Sequence, residues 1–298
     1  MPKFTDHKAI IFDVYGTLVD WDSTVYSHLK PMLSRYVSSS KWTRAEALSA
    51  FADLEAAAKK RYPDMLHHEV LERTYAELEA SMQEADLKAG VQEDPSEPRT
   101  PSTAEERRAF GRCPKEMVVF PDSVEALKRL AKHFKLVVLS NIDHECFAYT
   151  HHRLAAPETY PRELKTYAYP EPNPKEFWYP QTMEGSKSPF TLLLTSQDTL
   201  VYKPDHKGFL IAFDQIEKDQ DLLGGTGMKA KDATLIVANG LPGNIAPAHD
   251  FGMNSIWIDR VPLGEDKGSE RIGGKKWTWK FSKLAEMADA VDQELAEQ

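Results

Sequence analysis

The 298-residue chain has few cysteines, no long apolar run and no excess of basic residues, and each shortage removes a class of function. Two cysteines, Cys113 and Cys146, cannot build a disulfide framework, and their spacing fits no zinc pattern. Cys146 lies two residues after His144, so a Cys–His nucleophile and a buried thiol on a helix both remain open, burial being the usual fate of a free cysteine. No apolar stretch approaches the roughly 18 residues that span a bilayer, so no membrane is expected. A net charge of −9 argues against nucleic acid, because phosphate binding needs a basic surface. The first residues carry Lys3, Asp6 and Lys8 and lack the apolar stretch of a signal peptide, which makes a cytoplasmic location the expectation.

What is present is an alternation of apolar runs and helical patterns. Ala9 to Phe12 reads as a first buried strand. From Trp21 to about Ala89 apolar residues recur at three and four positions (Val25, Leu29, Met32, Leu33, Tyr36, then Leu66, Val70, Leu71, Tyr75, Leu78), which predicts helices. Thr43 with Glu46 forms a capping-box pattern for a helix over residues 44–60. Residues 90–103, with Pro95, Pro98 and Pro101, read as an exposed loop. The strand pattern returns at residues 135–139, 191–195, 234–238 and 255–259, with helices between, which implies a right-handed parallel sheet. The expected organisation is α/β, with a Rossmann-like parallel sheet core (1–20 and 116–298) and an inserted helical cap (21–115). Residues 157–189 interrupt the core with Pro, Tyr and Trp (Tyr160, Tyr167, Tyr169, Trp178, Tyr179). So long a segment is functional or disordered, and its aromatics favour an ordered flap or an interface.

Four strands end in polar residues: Asp13 and Thr17, Ser140 and Asn141, Lys203, and Asn239 to Asn244. A carboxylate fixed at a strand tip faces the crevice where open α/β sheets bind ligands, and so placed it can act as a nucleophile. Each residue also has a plainer reading. Thr17 can cap a turn, Ser140-Asn141 can end a strand, Lys203 can precede a proline turn at the surface, and Asn-Gly and Pro-Gly are turn dipeptides.

Taken in chain order, these residues resemble the four motifs of the haloacid dehalogenase superfamily (an Asp nucleophile, a Ser/Thr, a Lys and an acidic loop) across residues 8–20 and about 117–260. Its phosphatases carry Asp-x-Asp in the first motif and bind magnesium, which demands hard oxygen ligands. Here the partner of Asp13 is Tyr15, and loop four offers the amides Asn239 and Asn244. Asp13-x-Tyr15-Gly16-Thr17-Leu18 looks instead like the L-2-haloacid dehalogenase branch, as do Ser140-Asn141 and Tyr202-Lys203-Pro204-Asp205. The resemblance implies a hydrolase without metal or cofactor, in which Asp13 attacks C2 of a small 2-haloacid to form an ester that water then opens. Lys203 would offset charge against a small anionic substrate. Thr17, Ser140 and the loop amides would orient Asp13 and the substrate carboxylate, and Asn141 could bind halide. Tyr15 is either a site residue or a packed aromatic. Asn244 stands where the branch has a water-activating Asp, and an amide accepts no proton at neutral pH. Lys60 and Arg61 occupy the region of the substrate-binding cap arginine, yet Lys59 to Arg61 also reads as a solvated charge run. A homodimer is a possible assembly. A magnesium-dependent phosphatase of the same fold, and a catalytically impaired binding or regulatory protein, are the competing expectations.

Overall fold

The computed structural model describes residues 2–92, 96, 99–155, 164–169, 171, 173 and 175–297. Pro95, Pro98 and Tyr160 lie outside them. The chain divides into two compact units, residues 1–20 with 118–298, and residues 21–117.

The second unit is helical: α1 (Trp21–Leu33), α2 (Arg44–Arg61), α3 (His67–Lys88) and α4 (Ala104–Gly111). Thr43 caps α2 as its sequence predicts. Its hydroxyl accepts from Glu46 N while Glu46 accepts from Thr43 N, so two backbone donors at the helix start are satisfied. Val25, Leu29, Phe51, Val70, Leu71, Leu78 and Phe110 are buried, apolar residues of the four helices turned inward.

The first unit is built on six parallel strands: β1 (Ala9–Phe12), β2 (Lys135–Ser140), β3 (Leu192–Thr195), β4 (Thr234–Ala238), β5 (Ser255–Ile258) and β6 (Trp279–Phe281). Their order is β3-β2-β1-β4-β5-β6. Every residue of β1, β3, β4 and β5 is buried, as expected of parallel strands covered on both faces by helices. The central strand is β1, with Phe12 opposite Val138 on one side and Val237 on the other. Asp13 therefore emerges at the middle of the sheet's carboxyl edge.

The sixth strand has no counterpart in the sequence reading. Its three residues are half-buried, too short and too mixed for a periodicity signal. The helix ahead of β2 is α5 (Ser123–Leu130), and turns lead from it into the strand. After β2 comes α6 (His144–Ala155). The described part of the 157–189 segment packs onto this unit. Tyr167 stacks on His151 of α6 with ring centroids 3.8 Å apart, Leu193 N donates to Trp178 O, and Phe177 and Tyr179 enter the core. His151 is buried between the Tyr169 hydroxyl at Nδ1 and Ser188 Oγ at Nε2, and burial pushes its pKa down to about 3. Among the described residues no helix is long and apolar enough to cross a membrane.

Candidate active site

The turn after β1 is fixed by its own backbone. Thr17 N and Leu18 N donate to Val14 O, and Gly16 N donates to Val19 O. Gly16 has φ +85°, and a Cβ there would lie 3.3 Å from Asn239 Nδ2, so both conformation and space favour glycine. Val14, Leu18 and Val19 are fully buried and anchor the turn from below.

Thr17 faces the carboxylate. Its Oγ1 donates to Asp13 Oδ2 at 2.9 Å and accepts from Asn239 N at 2.8 Å, so one buried hydroxyl joins the first motif to loop four. Lys203 serves the other oxygen. Its Nζ lies 2.9 Å from Asp13 Oδ1, 2.8 Å from Asn244 Oδ1 and 2.5 Å from Leu139 O, three acceptors for the three protons of an ammonium. The Lys203 and Asp13 side chains are 4% and 11% exposed, so water screens the pair little.

Asn141 clamps the lysine backbone: Lys203 N donates to Asn141 Oδ1 at 2.7 Å and Asn141 Nδ2 donates to Lys203 O at 3.0 Å. Both ends of the Asn141 amide are thereby engaged in orienting Lys203. Asn244, buried in a π-turn over Leu241–Ile245, also donates through Nδ2 to Gly240 O at 3.2 Å. Ser140 Oγ is buried at the tip of β2 and makes no hydrogen bond among the described residues. Asn239, half-buried, has its backbone committed to Thr17.

Tyr15 turns its hydroxyl to α6, 2.9 Å from Thr150 Oγ1, and burial pushes its pKa well above the usual value, so the phenol stays protonated. Lys60 and Arg61 are exposed on α2, with Arg61 3.5 Å from Glu77. The half-buried lysine of that run is Lys59, on Glu55 at 2.8 Å. His144 bonds Asp198 at 2.7 Å and Cys146 is buried, so the Cys–His nucleophile gives way to the buried thiol. Sequence reasoning missed Arg260, whose Nε donates to Thr17 O at 2.9 Å. It follows the tip of β5 as the other site residues follow theirs, which was the available signal.

The model of the haloacid dehalogenase-like hydrolase family matches residues 7–178, more than half of the chain. The chain belongs to that family. No curated protein matches it. Among solved structures, YfnB of Bacillus subtilis, assigned as a HAD-hydrolase and bound to magnesium, is 15% identical with TM-score 0.57, over 96% of this chain and 99% of that one. The L-2-haloacid dehalogenase of Xanthobacter autotrophicus is 15% identical with TM-score 0.55, over 96% and 98%. The same enzyme with chloropropionic acid covalently bound is 14% identical with TM-score 0.56, again over 96% and 98%. At these identities the likeness is one of fold, and the fold hosts a metal in one neighbour and a covalently bound acid in another.

The described residues gathered around Asp13 offer magnesium a poor set of ligands. Asp13 is the one carboxylate in the set, its two oxygens are bonded to Lys203 and Thr17, and the ammonium already supplies the positive charge. Among the described residues no three His, Cys, Asp or Glu side chains gather as a metal-binding group. Asn244 and Asn239 add only amide oxygens, weaker donors for a hard cation than carboxylates.

Proposed function

We propose that this hydrolase is a metal-independent 2-haloacid dehalogenase in its first half-reaction, with Asp13 as nucleophile. The observation that carries the reading is the holding of Asp13 by Lys203 and Thr17, one on each oxygen, with the amide of Asn244 as the other side-chain partner of the lysine. Such a carboxylate has a fixed direction of approach, and proper alignment of attacking and leaving atoms is a large part of the barrier to displacement. An Asp13 oxygen forms a bond to C2 of the acid while the carbon–halide bond breaks and halide leaves with the electron pair. Lys203 balances the charge that a second carboxylate brings. The unpartnered Ser140 hydroxyl and the Asn239 amide are suited to the substrate carboxylate. Tyr15, its hydroxyl tied to Thr150, contributes a ring face and no acid.

Release of product needs water to attack the ester carbonyl of Asp13. Asn244 can accept a hydrogen bond but cannot take the proton, so the ester is expected to persist. The test is incubation with L-2-chloropropionate followed by intact mass measurement, with Asp13→Asn as control. A lasting mass gain that Asp13→Asn abolishes is the expected result. Free lactate in step with chloride would mean that another base completes the cycle. Neither adduct nor product from several 2-haloacids would overturn the reading in favour of another substrate or a binding role.

A further inference from the structure

Arg260 is far more tightly held than one turn carbonyl requires. Besides its Nε contact to Thr17 O, Nη1 lies 2.7 Å from Asp122 Oδ1 and Nη2 lies 3.3 Å from Ser123 Oγ. The guanidinium sits over the Phe120 ring, 4.3 Å from its centroid, and the side chain is 6% exposed. Asp122 is itself braced, its Oδ2 accepting from Ala285 N at 3.1 Å. Ser123 Oγ in turn donates to Leu18 O at 2.9 Å. Two successive carbonyls of the first-motif turn, those of Thr17 and Leu18, are thus pinned by side chains from outside it.

Thr17 is the junction. Its carbonyl faces Arg260, while its hydroxyl donates to Asp13 Oδ2 and accepts from Asn239 N. A rotation of the Thr17 peptide would swing that hydroxyl off the carboxylate and release loop four together. A buried ion pair adds little net stability but fixes geometry well, because the planar fork has one good arrangement.

We propose that Arg260 is a positioning residue that acts through Thr17 to aim the Asp13 carboxylate. The proposal rests on Asp13 being the nucleophile.

Arg260→Met and Arg260→Lys test it. The limiting rate of Asp13 alkylation by L-2-chloropropionate is measured over a range of acid concentration, beside the melting temperature and amide exchange at Asn239. In Arg260→Met the limiting rate falls on the order of 100-fold, while the half-saturating concentration shifts less than about threefold. Exchange at Asn239 quickens, and Arg260→Lys recovers part of the rate. A lowered melting temperature with an unchanged limiting rate overturns the proposal, as does a loss confined to half-saturation. If the wild-type protein forms no adduct, the nucleophile reading has failed and the exchange measurement still decides. Faster exchange at Asn239 in Arg260→Met, or in Arg260→Lys should the first not fold, supports positioning; unchanged exchange overturns it.

Discussion

Each unit of the molecule holds a lysine–carboxylate pair with a third polar partner, half-buried in the helical unit and buried in the sheet unit, and the two are built differently. In the helical unit Glu55 and Lys59 stand one turn apart on α2 at 2.8 Å, and His67 Nε2 lies 3.0 Å from the same Glu55 oxygen. Helix geometry alone brings the first two together. In the sheet unit Asp13 and Lys203 are 190 residues apart. Their pairing needs the tips of β1, β2 and β4 and the loop after β3 to converge, with Asn141 and Thr17 as braces. A local pair serves the helix that carries it. A pair assembled from four segments at the carboxyl edge of a parallel sheet, beside an unpartnered serine hydroxyl, is where ligand chemistry is expected.

The third partner sharpens the contrast. Glu55 has two donors that are, or can become, cationic, whereas Lys203 has one carboxylate and two neutral acceptors, the Asn244 amide and the Leu139 carbonyl. Restoring a carboxylate with Asn244→Asp would supply the missing base beside the lysine. Hydrolysis of the Asp13 ester is then expected to accelerate by about 10²–10⁴-fold, the usual worth of a positioned base. The measurement is the decay of the adduct mass after excess acid is removed. An unaltered decay would show that loop four does not limit the second step.

Stability separates the pairs next. Lys203→Met leaves the Asp13 charge with Thr17 as its main remaining support, and removing one partner of a buried pair costs about 3–5 kcal/mol. Lys59→Met leaves Glu55 with His67, so its cost should be smaller, about 1–3 kcal/mol. Urea unfolding of both variants gives the order. If Lys59→Met proves the costlier, the local pair matters more to folding than the assembled one, and the comparison fails.

How much of this was legible beforehand follows from the same distinction. The strand over residues 234–238 and the Thr43–Glu46 cap depend on neighbours in sequence, and both appear as read. The residue types of the site, Asp13, Thr17, Ser140, Lys203 and Asn244, also stand out, because each follows an apolar run. Partnership did not. Nothing local in Ser140-Asn141 says that one side chain clamps the Lys203 backbone while the other stays unbonded. Arg260 was passed over because its partners Thr17 and Asp122 are remote in sequence. The short, half-buried β6 lacks the periodicity that marked its neighbours.

The finest difference is in pH. Burial pushes the Glu55 carboxyl up, but the Lys59 charge and the His67 hydrogen bond pull it further down, to about 2 against an ordinary 4.5. A carboxyl lowered in the folded state binds protons less readily there than in the unfolded chain, so its contribution is fully present above pH 4.5 and is lost as pH falls towards 2. Within that window the slope is at most about 1.4 kcal/mol per pH unit. Urea unfolding of Glu55→Gln between pH 6 and pH 2.5 should give a profile flatter than that of the wild type below 4.5 and parallel to it above. A profile that stays parallel throughout would mean that Glu55 is no more firmly held in the fold than in the unfolded chain, and the helical-unit pair would lose its claim to a structural role.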